Sequence, residues 1–305
     1  MNHGLRIESL TVRIPLLGGS VVHAASDIDL DVPAGTVTAL VGESGCGKSI
    51  IATSVMNMLP PNASRTGTVT VGTPDLEIDV FSGAAFRGRH VALVPQSAAT
   101  HLTPVRTARS QLQETIDALG SDHTCDALAL RVGLEPSALD CYPHELSGGM
   151  AQRVAIAGAL AGNPSVIVAD EPTANLDREL TDHVMGLLRE CADAGAAVLL
   201  ITHDLASLTR SGVADRLAVM YASRIMETGP AALVFKDPLH DYTRDLLGAL
   251  PSRGLTPMPG SPPQLTDLPE ECVYHLRRPE SKQSGGPTEL VTLGDRTYRT
   301  LRKVG

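Results

Sequence analysis

The sequence predicts an α/β fold with a buried parallel sheet. Short runs rich in Val, Ile, Leu and Thr alternate with helical patterns, and the runs at 166–169 and 197–202 are apolar at almost every position. Strands that are apolar throughout are typical of parallel sheets with both faces covered. A glycine-rich loop at 42–49 also joins a predicted strand to a predicted helix, as the connections of α/β folds do.

The same patterns assign the elements in chain order. The helix that starts at residue 48 should stop at Pro60–Pro61, because proline cannot continue a helix. The stretch 106–132 should divide into two helices near Gly120–Ser121. Strands are predicted at 5–14, 26–30, 36–41, 69–71, 90–94, 166–169 and 197–202, and further helices at 48–59, from 147 to 162 and at 179–194.

The composition changes after Pro251. Seven of the 21 prolines lie between residues 251 and 279, and no clear hydrophobic periodicity follows them. Proline-rich sequence without periodicity predicts loops. Residues 251–305 are therefore expected to form a loop-rich C-terminal extension, separate from a domain at 1–250.

Charge, aromatic content and cysteine spacing argue against several classes of protein. The 305 residues carry a net charge of -9 with 3% aromatic residues and no block of Lys and Arg, which disfavours a general nucleic-acid binder. No apolar run reaches the roughly eighteen residues of a membrane span, and residues 1–10 lack the apolar core of a signal peptide. The five cysteines contain no Cys-x-x-Cys pair, which indicates a reduced cytosolic protein without disulfides or structural zinc.

A phosphate-binding loop follows the strand at 36–41. It fits the pattern G-x-x-x-x-G-K-[ST] and opens a helix, which is the context that the pattern requires. Glycines let successive N–H groups turn towards phosphate oxygens at the positive end of that helix. Lys48 would neutralise the β- and γ-phosphates, and the Ser49 hydroxyl would ligate Mg²⁺. The predicted nucleotide-binding residues of this loop are Gly42, Glu43, Ser44, Gly45, Cys46, Gly47, Lys48 and Ser49.

Two adjacent carboxylates end the apolar strand at 166–169. Successive residues of a strand point to opposite faces, so Asp170 and Glu171 can serve different purposes. Asp170 suits the coordination shell of Mg²⁺, and Glu171 can orient or deprotonate an attacking water molecule. After a phosphate-binding loop, this pair predicts a site that hydrolyses a nucleotide.

Further motifs follow in order and narrow the family. Ser147, Gly148 and Gly149 open a helix and offer N–H groups to an anion. The series resembles that of ATP-binding-cassette (ABC) ATPases over residues 5–250, which implies a P-loop nucleotide-binding domain with a RecA-like core, an antiparallel β subdomain and a helical subdomain at about 97–162. The series comprises the phosphate loop, Gln96, Leu146-Ser147-Gly148-Gly149-Met150, the acid pair, Asn175-Leu176-Asp177 and Ile201-Thr202-His203-Asp204.

The resemblance also implies roles for these residues. Gln96 would touch Mg²⁺ or water and couple the site to a membrane partner. The Ser-Gly-Gly motif would bind the γ-phosphate held by an opposite subunit. Asp177 resembles the D-loop aspartate, and His203 resembles the switch histidine that contacts the γ-phosphate. The expected catalytic residues are Glu171, His203 and Gln96, and the expected ligands of Mg²⁺ are Ser49, Gln96 and Asp170.

Several segments resemble the peptide and nickel importer branch of the family. They lie at 142–150, 219–222 and 237–247, and the sequence at 257–265 is similar to the C-terminal extension of that branch. The branch implies an ATP-hydrolysing subunit that lies peripherally at the cytoplasmic face of the cell membrane. Its partners would be a second, homologous ATPase subunit, two transmembrane permease subunits and an extracytoplasmic substrate-binding protein, with no nucleic acid.

The sequence departs from the branch in three places. Cys272 stands alone where many members have several cysteines, and one thiolate cannot hold a four-cysteine cluster, so no iron–sulfur cluster is expected. No aromatic residue lies near 21–23, where relatives often stack a ring on adenine. The segment 97–104 lacks the Asp-Pro and Asn-Pro pairs that usually follow the glutamine.

Three functions stay open at this point. The first is the ATPase subunit of a peptide importer, with nickel or a metal chelate as the alternative cargo and an identical or homologous second ATPase. The proline-rich extension favours peptides. The second is a soluble ABC ATPase acting on DNA or ribosomes, which the acidic charge and the importer-like segments disfavour. The third is a structural subunit that binds ATP without turnover, which intact Lys48, Asp170, Glu171 and His203 oppose.

Overall fold

The computed structural model describes residues 4–73, 76–83, 85–174, 176–269, 271–278 and 287–302. Its strands are β1 (Gly4–Pro15), β2 (Val21–Pro33), β3 (Val37–Val41), β4 (Ser64–Gly72), β5 (Glu77–Asp79), β6 (Val91–Val94), β7 (Val166–Asp170), β8 (Ala197–Thr202), β9 (Arg216–Tyr221), β10 (Arg224–Pro230), β11 (Thr288–Leu293) and β12 (Arg296–Leu301). Its α-helices are α1 (Lys48–Val55), α2 (Ala108–Leu119), α3 (Cys125–Arg131), α4 (Gly148–Leu160), α5 (Arg178–Asp193), α6 (Leu205–Ser211), α7 (Ala231–Lys236), α8 (Asp241–Gly248) and α9 (Val273–Arg277). None of the helices in these ranges combines the length and the apolar character needed to cross a membrane.

The chain folds into two compact units. The first unit holds residues 32–37 and 70–201, together with Gly4 and Leu5. The second unit holds residues 6–31, 38–69 and those from 202 onward, so the C-terminal extension belongs to it. The domain boundary expected at residue 250 stays a prediction, because compactness alone does not mark the limit of a functional domain.

A parallel sheet of buried strands lies in the first unit. β6, β7 and β8 pair in parallel, with Val94 opposite Ala169 and Asp170 opposite Ile201. Every residue of β7 and β8 is buried, as expected for strands whose two faces are both covered. The buried parallel sheet that the sequence predicts is therefore confirmed.

The helices of the first unit follow the predicted pattern. α2 ends at Gly120, whose φ of +63° is the left-handed conformation that closes helices. α3 begins after Thr124, whose hydroxyl accepts a hydrogen bond from the Ala127 N–H. The break predicted near Gly120–Ser121 is confirmed, and its cause is the glycine cap.

The second unit contains both parallel and antiparallel strand pairs. β3 pairs in parallel with β9, with Val41 opposite Val219. β9 and β10 form an antiparallel pair, and β10 and β11 both pair antiparallel with β12. The apolar residues of β9, from Leu217 to Tyr221, are all buried. These pairs place the end of β3, and the loop that follows it, beside the buried residues of β9.

Helix α1 is shorter than predicted. It ends at Val55 rather than at residue 59. Asn57 has a φ of +49°, and asparagine tolerates the left-handed region better than most residues. The helix therefore stops before Pro60–Pro61, and the prolines are not what ends it.

The C-terminal extension holds regular structure besides its loops. α9 and the hairpin β11–β12 lie within it, and Tyr298 of β12 pairs with Glu227 of β10. An isolated bridge joins Thr266 to Val22. The hairpin residues are half-buried or exposed at nearly every position. An apolar–polar alternation appears only where one face of a strand is buried, so the sequence carries no signal for these strands.

Candidate nucleotide site and family

The phosphate loop lies in the second unit, between β3 and α1. Gly47 has a φ of +106°, and a Cβ on it would lie 2.4 Å from the carbonyl oxygen of Ala24. A Cβ on Gly42 would lie 2.1 Å from the carbonyl oxygen of Met220. Both positions therefore need glycine, because the loop runs tightly against the backbones of β2 and β9.

Lys48 supplies the positive charge of this loop. Its ammonium group donates hydrogen bonds to the carbonyl oxygens of Gly42, at 2.9 Å, and of Glu43, at 3.1 Å. The Lys48 residue is 7% exposed, whereas Ser44 and Ser49 are exposed. Phosphate oxygens can replace the two carbonyls as acceptors of these bonds. A buried cation, a helix N-terminus and an accessible hydroxyl fit a nucleotide phosphate.

Two further contacts hold the loop in place. The N–H of Glu43 donates to the Tyr242 hydroxyl at 3.1 Å, and the carbonyl oxygen of Cys46 accepts from the Ser223 N–H at 2.9 Å. Burial raises the pKa of the Cys46 thiol and outweighs the opposite effect of Lys48. Cys46 is thus a buried, protonated side chain of the loop. The sequence does not mark Tyr242 as a neighbour of the loop, because the two lie about two hundred positions apart.

Asp170 and Glu171 lie at the carboxyl end of β7, in the first unit. Asp170 is 8% exposed and Glu171 is 7% exposed. The strand ends at Asp170, and Glu171 begins a turn with a φ of +49° while its N–H donates to the Ile201 carbonyl at 2.9 Å. Glu171 is therefore not a strand residue, so the prediction that Asp170 and Glu171 point to opposite faces of a strand does not apply. A positive φ at a non-glycine residue is a strained conformation that clusters at functional sites.

Gln96 follows β6 in the first unit and is exposed. The carbonyl of its neighbour Pro95 accepts a hydrogen bond at 3.0 Å from the side chain of Gln152, which lies in α4 and is 3% exposed. This bond joins the segment that carries Gln96 to the helix that Ser147 opens. No motif in the sequence predicts a role for Gln152. The feature that could have pointed to this contact is a polar amide among the small and apolar residues of α4.

Ser147 and Asp177 both cap helices in the first unit. The Ser147 hydroxyl accepts the Met150 N–H at 3.2 Å at the start of α4, where Ser147 and Gly148 are exposed and Gly149 is half-buried. The Asp177 carboxylate accepts the Leu180 N–H at 2.9 Å at the start of α5. The first N–H groups of a helix have no partner within it, so the exposed start of α4 can receive an anion. Asn175 lies outside the described residues.

His203 follows β8 and belongs to the second unit, where it is exposed. Its carbonyl oxygen accepts the Leu205 N–H at 3.1 Å, and Asp204 caps α6 through the Ser207 N–H at 2.9 Å. Burial opposes ionisation of Asp204, but the hydrogen bonds from Ser207 prevail and hold its pKa below the ordinary value. The backbone around His203 is therefore set by a well-formed helix start.

Both units contain predicted site residues that follow the end of a strand. In the first unit, Gln96 and the Asp170–Glu171 pair follow the neighbouring strands β6 and β7. In the second unit, the phosphate loop follows β3. The exposed Ser147 and Asp177 lie instead at helix starts. Hydroxyl and carboxylate oxygens such as those of Ser49 and Asp170 are the ligands that Mg²⁺ prefers.

Comparison with known proteins assigns the family. The ABC transporter family matches residues 25–174, and the C-terminal region of oligopeptide/dipeptide transporters matches residues 226–284. The dipeptide transport ATP-binding protein DppD of Bacillus subtilis (strain 168) is 35% identical over 297 residues, which cover 92% of this chain and 88% of DppD. The chain belongs to the ATP-binding proteins of the oligopeptide/dipeptide ABC transporter family. As an ABC transporter ATPase it binds and hydrolyses ATP.

Another member of the oligopeptide/dipeptide family supports the assignment. The oligopeptide transport ATP-binding protein OppD of Escherichia coli (strain K12) is 33% identical over 308 residues, with 95% of this chain and 90% of OppD covered. The resemblance to the importer branch that the sequence motifs indicate is thus confirmed.

Solved structures share the ABC cassette fold. The ATP-binding cassette MJ0796, solved as a dimer in a post-hydrolysis state with ADP and Pi, matches with a TM-score of 0.63 and 23% identity over 74% of this chain and 98% of that one. CbiO1 of Clostridium perfringens, part of the ABC transporter complex cbiONQ, matches with a TM-score of 0.60 and 26% identity over 78% of this chain and 92% of that one. The predicted α/β P-loop cassette is therefore confirmed.

Proposed function

We propose that this chain hydrolyses ATP to power the import of peptides through two transmembrane permease subunits. The observation that carries the proposal is the match to the oligopeptide/dipeptide C-terminal region at 226–284 in a chain that also has an ABC cassette. The named functions of DppD and OppD, which are transport of dipeptides and of oligopeptides, support the same cargo class. An extracytoplasmic substrate-binding protein would deliver the peptide, and this chain would lie peripherally at the cytoplasmic face of the membrane.

Each of the predicted site residues would contribute one part of the hydrolytic chemistry. The loop N–H groups and Lys48 would bind the β- and γ-phosphates, with the Lys48 ammonium leaving the carbonyls of Gly42 and Glu43 to do so. Ser49 and Asp170 would hold Mg²⁺, and Gln96 would contact it or its water. When bound, Mg²⁺ would neutralise charge on the phosphates.

Glu171 would orient the attacking water and accept its proton as the γ-phosphate is lost. His203 would contact the γ-phosphate, and its exposure leaves the imidazole accessible to a ligand. The positive φ of Glu171 supports this assignment, because the turn after β7 imposes a conformation that costs free energy and is kept at functional sites. No iron–sulfur cluster is proposed, since Cys272 remains a single thiol in its segment.

A second, homologous ATPase subunit would complete each site. Ser147, Gly148 and Gly149 would bind the γ-phosphate held by that subunit, and Asp177 would lie at the same interface. The exposed start of α4 supports this role, since its N–H groups are accessible to an anion. Loss of the γ-phosphate charge would then release the interface. Gln96 would relay closure to the permeases from its exposed position after β6.

The test is ATP hydrolysis by the assembled transporter in lipid, with wild type compared with Glu171→Gln in this chain alone. We expect Glu171→Gln to lower cargo-stimulated turnover at least about a hundredfold while ATP binding persists, because the amide cannot accept the proton. Glu179→Gln makes the same chemical change at an exposed position at the start of α5 and is expected to leave turnover unchanged. Retained turnover in Glu171→Gln would contradict the assigned site.

The same assay identifies the cargo. Peptides of two to five residues, and separately nickel chelates, are added with the substrate-binding protein. The proposal expects peptides to stimulate hydrolysis and nickel chelates to have no effect. Stimulation by nickel chelates alone would contradict a peptide importer and leave the ATPase assignment intact.

A further inference from the structure

A side chain of the C-terminal extension contacts the phosphate loop. The Arg277 guanidinium forms two hydrogen bonds with the Glu43 carboxylate, Nη1 to Oε2 at 2.6 Å and Nη2 to Oε1 at 3.2 Å. The Arg277 side chain is only 4% exposed and that of Glu43 is 21% exposed. A two-pronged pair of this kind fixes orientation as well as supplying attraction. Residues 234 positions apart in sequence are thus joined within the second unit.

The rest of the guanidinium is held by the fold. Its Nε donates to the Pro259 carbonyl at 2.5 Å, and Nη2 approaches the Gly260 carbonyl at 3.4 Å. The guanidinium carbon lies 5.7 Å from the centre of the Tyr221 ring. Burial opposes the charge on Arg277, but the bonds to Glu43 outweigh it and raise its pKa. Arg277 is therefore a cation in a fixed position, and the two Nη atoms of its guanidinium point at the Glu43 carboxylate.

The backbone of Glu43 is held from the same side. Its N–H donates to the hydroxyl of Tyr242, whose ring packs 4.4 Å from that of Tyr221 and 5.2 Å from that of Tyr274. The three tyrosines are at most 1% exposed. Tyr274 lies in α9, one turn before Arg277. One packed cluster thus holds both the main chain and the side chain of the same loop residue.

The charge of Glu43 makes this contact relevant to nucleotide binding. A carboxylate in a phosphate-binding loop repels a triphosphate, and the repulsion grows where burial lowers the dielectric constant. A paired guanidinium cancels that charge and keeps the carboxylate turned to the extension. We propose that Arg277 is a positioning residue for ATP: it neutralises and anchors Glu43, so that the phosphate loop keeps the conformation that accepts the triphosphate.

This proposal rests on the phosphate loop being the ATP site, and it is independent of the cargo. The test measures binding of a fluorescent ATP analogue with Mg²⁺ to the full chain, and then the KM for ATP and kcat in the assembled transporter. Lys48→Ala reports on the site itself: if it leaves ATP affinity unchanged, the proposed site fails. If it weakens binding and the Arg277 variants do not, only the present inference fails.

A double-mutant cycle separates positioning from general stability. We expect Arg277→Met to weaken ATP binding and raise KM about tenfold, with kcat within about twofold. Arg277→Lys, which keeps the charge and loses the fork, should recover part of that loss. In the Glu43→Gln background, Arg277→Met should change affinity less than about twofold, because no carboxylate remains to be neutralised.

The neighbouring arginine is the matched control. Arg278 pairs with Asp241 and Asp245 at 3.6 Å and has no contact with the loop among those the structure describes, so Arg278→Met should leave KM unchanged. Wild-type affinity in Arg277→Met overturns the proposal, and so does an equal loss with and without Glu43→Gln, which would indicate only a structural role. If Arg277→Met does not fold, the cycle is run with Arg277→Gln, which also removes the charge, under the same criteria.

Discussion

A buried histidine illustrates how single residues shape the second unit. His240 is 3% exposed, and its Nδ1 accepts the Tyr242 N–H at 3.0 Å as the cap of α8. Its Nε2 is buried and lacks a hydrogen-bond partner in the part of the chain that the structure describes. Burial, followed by the charge of His275, lowers the pKa of His240 to about 3. The imidazole is therefore neutral in the folded chain at physiological pH.

This neutral histidine predicts a pH dependence of stability. The unfolded chain binds a proton at His240 below about pH 6.5, whereas the folded chain does not until about pH 3. Stability is therefore complete above pH 6.5 and is lost as pH falls, by about 1.4 kcal/mol per pH unit. His240→Asn keeps a capping acceptor without this titration. We expect the wild type to lose about 2 kcal/mol more than the variant between pH 7 and pH 5.

Urea denaturation of the full chain at several pH values measures this difference. The surrounding ionisable groups are His275, Arg299 and Arg244, which oppose protonation of His240, and Asp241, which favours it. They are unchanged by the substitution, so they cancel in the comparison. His144→Asn, at an exposed position, is the control and should follow the wild type. Parallel pH profiles for wild type and His240→Asn would refute the interpretation.

At the scale of elements, one arginine joins two helices of the first unit, α2 and α3. Arg109 of α2 donates to Asp126 of α3 and to Asp140, both at 2.6 Å, and to the Pro136 carbonyl at 2.9 Å. The side-chain hydrogen bonds to Asp140 and Asp126 raise the pKa of Arg109, and the bond from Arg109 lowers that of Asp140. The two helices are thus tied at their polar sides by a small charge network.

Removing this network should loosen the helical segment modestly. Arg109→Met is expected to lower the melting temperature by a few degrees at low salt, because three contacts of one guanidinium are lost. The difference should shrink in 1 M NaCl, where the Debye length is about 3 Å. Arg106→Met removes a pair between Arg106, which precedes α2, and Glu114 of that helix. It is the comparison and should cost less. A salt-independent difference would instead indicate lost packing.

At the scale of the whole molecule, the extension is integrated into the second unit. β12 pairs with β10, Thr266 bridges to Val22, and Tyr274 completes the tyrosine cluster. Arg224 also donates to the carbonyls of Glu271 and Pro269, at 2.8 and 3.0 Å. A strand edge that loses its partner exposes unpaired backbone groups, so the extension contributes to stability as well as to the loop contact.

Truncation measures that contribution. A chain ending at residue 250 should lose at least about 3 kcal/mol of unfolding free energy, since it lacks the buried Tyr274 and the partner strand of β10. A chain ending at residue 278 keeps Tyr274 and Arg277 but lacks the hairpin. Its unfolding free energy should lie between those of the full chain and of the chain ending at residue 250. Equal denaturation midpoints for all three chains would contradict the prediction.

Local patterns account for what the sequence predicts well. The buried strands β7 and β8 are apolar throughout, and the phosphate loop has a fixed spacing of Gly, Lys and Ser. The break between α2 and α3 is marked by Gly120. Each of these signals comes from residues close together in the chain. Their positions, and the family that their order indicates, were therefore predictable without a structure. The end of α1 was not, because it depends on the backbone conformation of Asn57.

Contacts between distant segments were accessible only from the tertiary structure. The sequence alone determined the cassette fold, the phosphate loop and the carboxylates at the end of β7. It carried no sign of the β11–β12 hairpin, of Gln152 holding the segment before Gln96, or of Arg277 holding Glu43. Periodicity and motif spacing report only on residues that are close along the chain. Arg277 and Glu43 are more than two hundred positions apart, so they meet only after the backbone has folded.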